Sequence, residues 1–590
     1  AIGNNWDVQG ITRQLLAEGI SKICILSEDP AQYKSLKSTN VHSMHRDNII
    51  EAQKDLKKVS GVSALIYDQT CAAEKRRRRK RGLLEDPIKR VFINPEICEG
   101  CGDCSIQSNC VSIEPLETSN GRKRKINQAN CNKDYSCLKG FCPSFITADV
   151  VPKKIKLSKN FQTLLDPNTI EKDETNIMLT GIGGTGVLTI SALLGMAAHI
   201  EGKVSTTLDL TGLAQKGGAV WSHIKIFSKE KAPFSHKISP ASTDLLLACD
   251  PVVAVKEEIQ ETFSKSKTYS VVNSSLSPVA DFVKERDLEF MEQETVDLIK
   301  KSSFKLVSLL PASNIAARLS NDAIGSNLIM LGAAFQAGLI PLKRESIEEA
   351  IILNKVGAEN NLHCFNLGRA YVQNPQQPIF ANFLENSPDE TLELVLSSRK
   401  KLLKDYGRKE FEKYNSSFSE TRELLKNEIG SESTLVRLAK ELYRLLAIKD
   451  EYQVAEFHLQ NSKELISSYG NNYLNLNFYL APPLLSFIKD KKTQRPKKFK
   501  VPAYIALPTF YLLRSLKFLR GSPLDIMKHS KDRKLALEHQ KIFFEDLANI
   551  STLPEGKRLS SIAKLLSRSE KVKGFGPVRE IAFKAFLSKE

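Results

Sequence analysis

The rhythm of hydrophobic and polar positions changes several times along the chain. Residues 23–26 and 64–67 are short apolar runs separated by helical segments, which predicts buried strands at the tail of an open α/β unit. Residues 176–180 form another compact apolar strand, and a helical pattern begins at Val187 after a cluster of glycines. Further strands are predicted at 204–208, 220–226, 244–248 and 268–272, and a helix-like segment at 327–336 closes this α/β pattern near residue 372. Beyond residue 373 the period becomes helical. Leu435, Leu438, Leu442 and Leu445 recur at helical spacing, and residues 399–428 are charged and broadly helical. Leu474, Leu476, Phe478 and Leu480 alternate with polar residues and predict one strand amid the helices. Residues 489–500 read as a basic, proline-bearing loop, and Gly574-Phe-Gly-Pro577 as a tight turn before the final helix.

Between the first two α/β patterns lies the densest chemistry. Cys98-Glu-Gly-Cys101-Gly-Asp-Cys104 is followed by Cys110, then by Cys131, Asp134, Cys137 and Cys142-Pro143. Iron–sulfur clusters are held by thiolates, and bacterial two-cluster ferredoxins use such runs with the proline-flanked cysteine serving the other cluster. Under that crossed wiring Cys98, Cys101, Cys104 and Cys142 hold one [4Fe–4S] cluster, and Cys110, Cys131 and Cys137 hold a second. Asp134 stands where the second cluster's remaining cysteine would be. It could ligate the fourth iron, leave a [3Fe–4S] cluster, or ligate nothing. Zinc is the competing metal, but its sites come as paired C-x2-C or with histidines, and no histidine lies between Cys98 and Cys142. A disulfide scaffold belongs to short secreted chains.

At 590 residues the chain should hold several domains. Hydrophobic and charged contents of 41% and 26% suit a globular protein in water, and no apolar run reaches the ~18–20 residues of a membrane span. Free clustered cysteines without a recognised targeting segment point to a reducing cytoplasm. The excess of 85 basic over 68 acidic residues suits an acidic partner, whether ferredoxin, CoA or nucleic acid. The run Lys75-Arg-Arg-Arg-Arg-Lys-Arg81 lacks interleaved aromatics and any nucleic-acid-binding fold, so it is expected to be a solvated linker or a basic docking surface. The first ten residues do not open a domain, and the chain is expected to be the C-terminal part of a longer protein.

The glycines after residue 180 read Gly181-Ile-Gly183-Gly184-Thr-Gly186 between a strand and a helix, the order of a dinucleotide fingerprint. Such a turn serves either phosphate binding or tight strand-to-helix packing. Asp209, at the end of the next strand, is a candidate ribose partner, although acidic residues at strand ends are common. Gln215, Lys216, Gly217 and Gly218 follow in a loop that could approach a ligand or be a plain surface turn. His223 lies within a strand and is expected to be structural.

Several segments together resemble the fused indolepyruvate ferredoxin oxidoreductases, a branch of the 2-oxoacid:ferredoxin oxidoreductases. They are Cys71-Ala-Ala-Glu-Lys-Arg-Arg-Arg-Arg-Lys-Arg-Gly82, the cysteine run continuing to Asn109-Cys110-Val-Ser-Ile-Glu-Pro115, and Lys139-Gly-Phe-Cys-Pro-Ser144. Matches continue at the glycine loop, Asp209-Leu-Thr-Gly-Leu-Ala-Gln-Lys-Gly-Gly218, Lys449-Asp-Glu-Tyr452, Leu480-Ala-Pro-Pro-Leu-Leu485 and Leu519-Arg-Gly-Ser-Pro-Leu524. The resemblance implies a multidomain α/β and α+β chain. Residues 1–71 would end a thiamine-diphosphate-type α/β domain, 72–90 would be a basic linker, and 91–150 a two-cluster ferredoxin-like module. A linker at 151–172 would lead to a Rossmann-like gamma-type domain at 173–372, then a mainly helical C-terminal domain at 373–590.

The family activity implied is oxidative decarboxylation of an aryl pyruvate with CoA as acyl acceptor and ferredoxin as electron acceptor. Thiamine diphosphate and magnesium would serve the carbon chemistry, and the clusters would conduct electrons. Gly181, Gly183, Gly184, Gly186, Gln215, Lys216, Gly217 and Gly218 would then face CoA or the enzyme interior rather than a nicotinamide. A homodimer is implied, with neither nucleic acid nor membrane as a partner. The chain departs from the family in having no Gly-Asp-Gly diphosphate-metal motif and no pyrimidine-side domain, so alone it is expected to be inactive. The alternatives are an electron-transfer subunit and an NAD(P)- or flavin-linked iron–sulfur reductase.

Overall fold

The computed structural model describes residues 7–80, 82–151, 164–169, 172–183, 185–211, 218–228, 235–275, 292–319, 325–381, 391–428, 430–470, 472–490 and 493–588. The chain forms two compact units, Ala1–Pro87 and Ile88–Glu590.

In the first unit, strands β1 (Lys22–Ser27), β2 (Val41–His45) and β3 (Ser63–Asp68) form a parallel sheet in the order β2-β1-β3. Central β1 is apolar on both faces, as a covered parallel strand must be. Ile23 and Ile25 pack with Tyr33 and Val41 on one side, while Cys24 and Leu26 meet Ala52 and Leu56 on the other. The basic run, expected as a linker, lies largely in a helix, Ala72–Lys80, with Arg81 outside the described residues. Lys and Arg are good helix formers, and Glu74 pairs with Arg78 one turn later at 3.1 Å.

The second unit begins with β4 (Lys89–Ile93), the hairpin of β5 (Ile113–Leu116) and β6 (Lys123–Ile126), and β7 (Phe145–Val150). β4 and β7 pair antiparallel, and the outer edge of β7 is taken by β14 (Tyr473–Leu480), which in turn carries β15 (Phe499–Pro502). The predicted lone strand at 474–480 is therefore the third strand of the cysteine module's sheet. The basic loop after it ends in a fourth. Phe92, Ile146, Phe478 and Phe510 form the shared core.

Residues 174–373 form a six-stranded sheet. Its strands are β8 (Glu174–Ile182), β9 (Val204–Thr211), β10 (Ala219–Phe227), β11 (Leu245–Ala248), β12 (Tyr269–Asn273) and β13 (Lys305–Leu310), in the order β13-β12-β11-β8-β10-β9. The sheet departs from a Rossmann unit because β10 lies antiparallel between β8 and β9. The chain crosses from β8 to the sheet edge through the helix Val187–Ile200, then folds back so that β10 takes the slot beside β8. That helix packs on one face with Gly325–Gln336 and Ala358–Gln373.

The last two helices touch backbone to backbone. A Cβ added at Gly332 would lie 1.9 Å from the Phe365 carbonyl oxygen, and one at Gly368 would lie 1.9 Å from that of Ile329. Gly332→Ala must push the helices apart and is expected to cost about 1–3 kcal/mol or more, read as a fall in the unfolding midpoint of this domain.

From Leu392 onward the fold is mainly helical, with Ser431–Leu446 central to a core of Leu435, Leu438, Leu442, Phe543 and Leu566. Among the described residues no helix is long and apolar enough to cross a membrane.

Candidate metal centre

The cysteines sit on the loops at one end of β4 and β7. Asn94, buried just beyond β4, donates from Nδ2 to the Phe457 carbonyl at 3.1 Å, tying the start of the cysteine loop to the helix Glu451–Ser467. Gly100 and Gly102 take positive φ, 72° and 76°, so the loop can curl tightly before the short helix Asp103–Ser108. The curl brings the Gly100 amide to 3.4 Å from Cys98 Sγ, where it donates to the sulfur. Cys98, Cys101 and Cys104 are buried and face one another and Cys142. Cys142 returns from a distant part of the sequence because the Phe141 amide donates to Asp103 Oδ2 at 2.6 Å. Its Sγ lies 2.9 Å from Ser144 Oγ.

Cys110, Cys131 and Cys137 form a second set. Cys110 and Cys131 are half-buried, Cys137 is buried, and Cys137 also feels the charge of Cys104 in the first set. The Lys133 amide donates to Cys131 Sγ at 3.4 Å. Asp134 is exposed, and its charge reaches both Cys131 and Cys137. Its Oδ1 accepts from the amide and hydroxyl of Ser136, at 3.1 and 2.9 Å, ordering the turn between them. Cys98, Cys101, Cys104 and Cys142 are thus electrostatic neighbours, as are Cys131 and Cys137 with Cys110 and Asp134.

The donor chemistry of these groups suits iron–sulfur clusters. All seven cysteine donors are thiols, and amide N–H groups point at sulfur as they do toward charged thiolates. Burial pushes the Cys142 thiol up to about 12, with Cys98 adding to the rise, and burial likewise raises Cys101, Cys104 and Cys137. Bound metal cations would offset that burial cost and hold the sulfurs deprotonated. Among the described residues no group of three or more His, Cys, Asp or Glu side chains is placed to hold a metal ion.

The charged groups around the first set come largely from the C-terminal region, where sequence reading placed no chemistry. Lys449 Nζ lies 2.9 Å from Glu99 Oε1 and also reaches the Ile97 and Cys98 carbonyls. Burial works against the Glu99 charge, but Lys449 and then Lys123 hold its carboxyl well below the usual range. Arg495 donates from Nη1 to both oxygens of Asp103 at 3.1 Å. Lys498 donates to the Gly140 carbonyl, and burial lowers it to about 8. The only sequence signal for any of these was Lys449-Asp-Glu-Tyr452, quoted for resemblance alone.

His458 closes the back of the Cys142 turn. Its Nε2 lies 3.0 Å from the Pro143 carbonyl oxygen, which only accepts, so Nε2 carries the proton and Nδ1 accepts from Ser462 Oγ at 3.2 Å. Stacked near Phe510 and edge-on to Phe478, the ring is lowered by burial to about 4. The unfolded chain therefore takes up a proton near pH 6.5 that the folded ring refuses until about pH 4. Stability should be complete above pH 6.5 and fall by up to ~1.4 kcal/mol per pH unit toward pH 4. His458→Gln should flatten that limb of a denaturation-midpoint-versus-pH curve.

The glycine loop lies at the other candidate site, the carboxyl edge of the parallel strands β8, β11, β12 and β13. Gly183 N donates to the Gly218 carbonyl at 2.8 Å, so the two candidate loops are joined at their base. Gly186, with φ of 95°, starts the helix Val187–Ile200. A Cβ on Gly181 would lie 2.4 Å from Val187 Cγ2, so this glycine serves helix packing. Gly184, Gln215, Lys216 and Gly217 lie outside the described residues. Asn327 Nδ2 donates to the Thr185 carbonyl at 3.0 Å, supporting the loop from below. Asp209 accepts at Oδ1 from Ser191 at 3.0 Å and Ser222 at 2.5 Å, fastening helix to sheet two strands away from the glycine loop. It is not placed as a ribose partner. His223 is buried in β10 and accepts at Nδ1 from the Ile238 amide at 3.2 Å, the structural role expected.

Residues 176–371 match the pyruvate ferredoxin/flavodoxin oxidoreductase family, and residues 392–589 match a family of unknown function, DUF6537. The chain is similar to the indolepyruvate oxidoreductase subunit IorB of Archaeoglobus fulgidus, at 28% identity over 180 residues, 30% of this chain and 83% of that protein. The subunit IorB of Pyrococcus horikoshii is 25% identical over 198 residues, 33% of this chain and 94% of that protein. A crystal structure of pyruvate oxidoreductase subunit PORC from Thermotoga maritima aligns with 34% of this chain and 96% of that one, at 18% identity and a TM-score of 0.24.

Proposed function

We propose, from the premise that residues 176–371 make this chain a member of the 2-oxoacid:ferredoxin oxidoreductase family, that it forms the electron-conducting and gamma-type parts of an indolepyruvate oxidoreductase. The reaction is oxidative decarboxylation of an aryl pyruvate to the aryl-acetyl-CoA, with ferredoxin as electron acceptor. The observation that carries this reading is the pair of adjacent thiol sets, the first buried at Cys98, Cys101 and Cys104 and the second half-buried at Cys110 and Cys131, with Cys137 the member of the second nearest Cys104.

Cys98, Cys101, Cys104 and Cys142 hold the first cluster, and Cys110, Cys131 and Cys137, with Asp134, hold the second. Bound there, iron–sulfur clusters supply one-electron transfer. The half-buried Cys110 and Cys131, with exposed Lys139 nearby in the chain, make the second set the exit toward an acidic ferredoxin. Gly183, Gly186 and Gly218 line the edge that faces CoA, with Gly181 seating the helix behind them; Gly184, Gln215, Lys216 and Gly217, assigned to the same site from sequence, lie outside the described residues. Thiamine diphosphate and magnesium are held by parts of the enzyme other than these residues. The assembly is a cytoplasmic homodimer.

The test uses the full gene product, purified anaerobically with thiamine diphosphate and magnesium. Ferredoxin reduction is followed with CoA and indolepyruvate, pyruvate or 2-oxoglutarate. Preference for indolepyruvate is expected. Reduction with pyruvate alone would keep the reaction class and overturn the substrate, and no reduction with any oxoacid despite intact clusters would overturn both.

A further inference from the structure

We infer that residues 392–589 form an electrostatic wall that sets the reduction potentials of both clusters, with Lys498 as its central charge. The inference rests on the cluster reading above and gives a role to a region that carries no assigned chemistry.

Lys498 stands just before β15, the last strand of the shared sheet. Its ammonium donates to the Gly140 carbonyl and lies 4.8 Å from the Phe145 ring centre and 5.9 Å from that of Tyr479. Gly140 is pressed against the first thiol set, since a Cβ there would be 2.8 Å from Cys104 Cα. The Gly140 amide also donates to the Cys137 carbonyl at 3.0 Å, so the residue that holds Lys498 touches a cysteine of each thiol set.

The neighbouring carboxylates do not cancel that charge. Asp103 is engaged by Arg495, and Glu99 by Lys449, both cations being supplied by the same C-terminal region. No carboxylate among the described residues lies within ion-pair distance of Lys498. Reduction adds one negative charge to a cluster, and a fixed cation held beside it in poorly screened surroundings stabilises the reduced state. A cation held on a loop that touches both sets raises both potentials. Lys498 is thus a positioning residue for charge, touching the loop that carries the ligands and not the reacting carbon.

The experiment compares wild type, Lys498→Gln, Lys498→Met and Lys498→Arg in the full gene product, purified anaerobically. Iron and sulfide are measured first, and midpoint potentials follow from EPR-monitored redox titration. Gln keeps a donor for Gly140 without the charge, Met removes both, and Arg keeps the charge. Gln and Met are expected to retain iron and sulfide while both clusters become harder to reduce by about tenfold in the one-electron equilibrium, about 59 mV. Arg should stay near wild type. Unchanged potentials in Gln and Met with full iron would overturn the inference. So would loss of iron in both, which would make Lys498 a structural brace. Wild-type protein without iron or sulfide would instead sink the cluster reading beneath it.

Discussion

Cys142→Ser is expected to empty the buried thiol set and leave the other one filled, so that roughly half of the iron and sulfide disappears. A serine hydroxyl is a far weaker iron ligand than a thiolate, and Cys142 is the one member of its set supplied from the end of the module. The turn that delivers it should survive the change, because the Phe141 amide would still be held by Asp103 and the Pro143 carbonyl by His458. Anaerobic iron and sulfide analysis with EPR checks this, one of two signals being lost. Cys131→Ser should remove the other signal. Full iron content in Cys142→Ser would mean that this residue is no ligand, and loss of both signals would mean that the two sites cannot be filled independently.

Arg533→Met is expected to destabilise the C-terminal region by about 3–5 kcal/mol, because it leaves the buried Asp525 without a cation and strips one from Asp450. Arg533 Nη2 lies 2.7 Å from Asp450 Oδ2, and Nη1 lies 2.7 Å from Asp525 Oδ2. The two acidic side chains are 1% and 0% exposed, too dry for water to replace the guanidinium. Arg520 gives Asp450 a second cation at 2.7 Å, but Asp525 would keep no cation, holding the Gly521 amide at 2.8 Å, the Tyr452 hydroxyl at 3.0 Å and the Met527 amide. Burial opposes the charge of Asp525, yet the Gly521 amide and Arg533 together hold its carboxyl below the usual range. That contribution is complete above the unfolded value near pH 3.9 and fades as pH falls through the folded value. Removing Arg533 raises the folded value, so acid unfolding should also begin at higher pH. Denaturant melts at neutral pH and an acid titration read both effects. A shift below 1 kcal/mol would show that the network relaxes around the loss.

The same network explains why Lys449-Asp-Glu-Tyr452 and Leu519-Arg-Gly-Ser-Pro-Leu524 stand out as fragments of sequence. Asp450 joins Arg520 and caps the helix Glu451–Ser467, while Lys449 reaches into the cysteine loop. Nothing in either fragment alone discloses that they meet. Local patterns were legible where one element decides its own fate. The apolar run at 177–179 lies within β8, and the leucines at 435, 438, 442 and 445 lie within the helix Ser431–Leu446. Sequence spacing likewise divides the cysteines into two groups, which remains the reading proposed above. What it could not convey was pairing at a distance. β15 reads Phe-Lys-Val-Pro and looks like the end of a basic loop, becoming a strand only because β14 offers it an edge. Arg495 and Lys498 look like ordinary solvated charges until the fold turns them onto Asp103 and Gly140.

The sheet β15-β14-β7-β4 also imposes a schedule on biosynthesis. Asn475 on β14 bonds to Asp149 on β7 across 326 residues of chain. At about 5–20 residues per second, the outer edge of β7 waits on the order of 16–65 s after its own synthesis for its partner to emerge. During that interval a newly made cysteine module presents open backbone donors and acceptors beside Ile146 and Val150, a template for pairing with the wrong chain. A ribosome halted before residue 473 would leave a product unable to protect that edge, so the last fifth of the polypeptide decides whether the earlier module stays soluble.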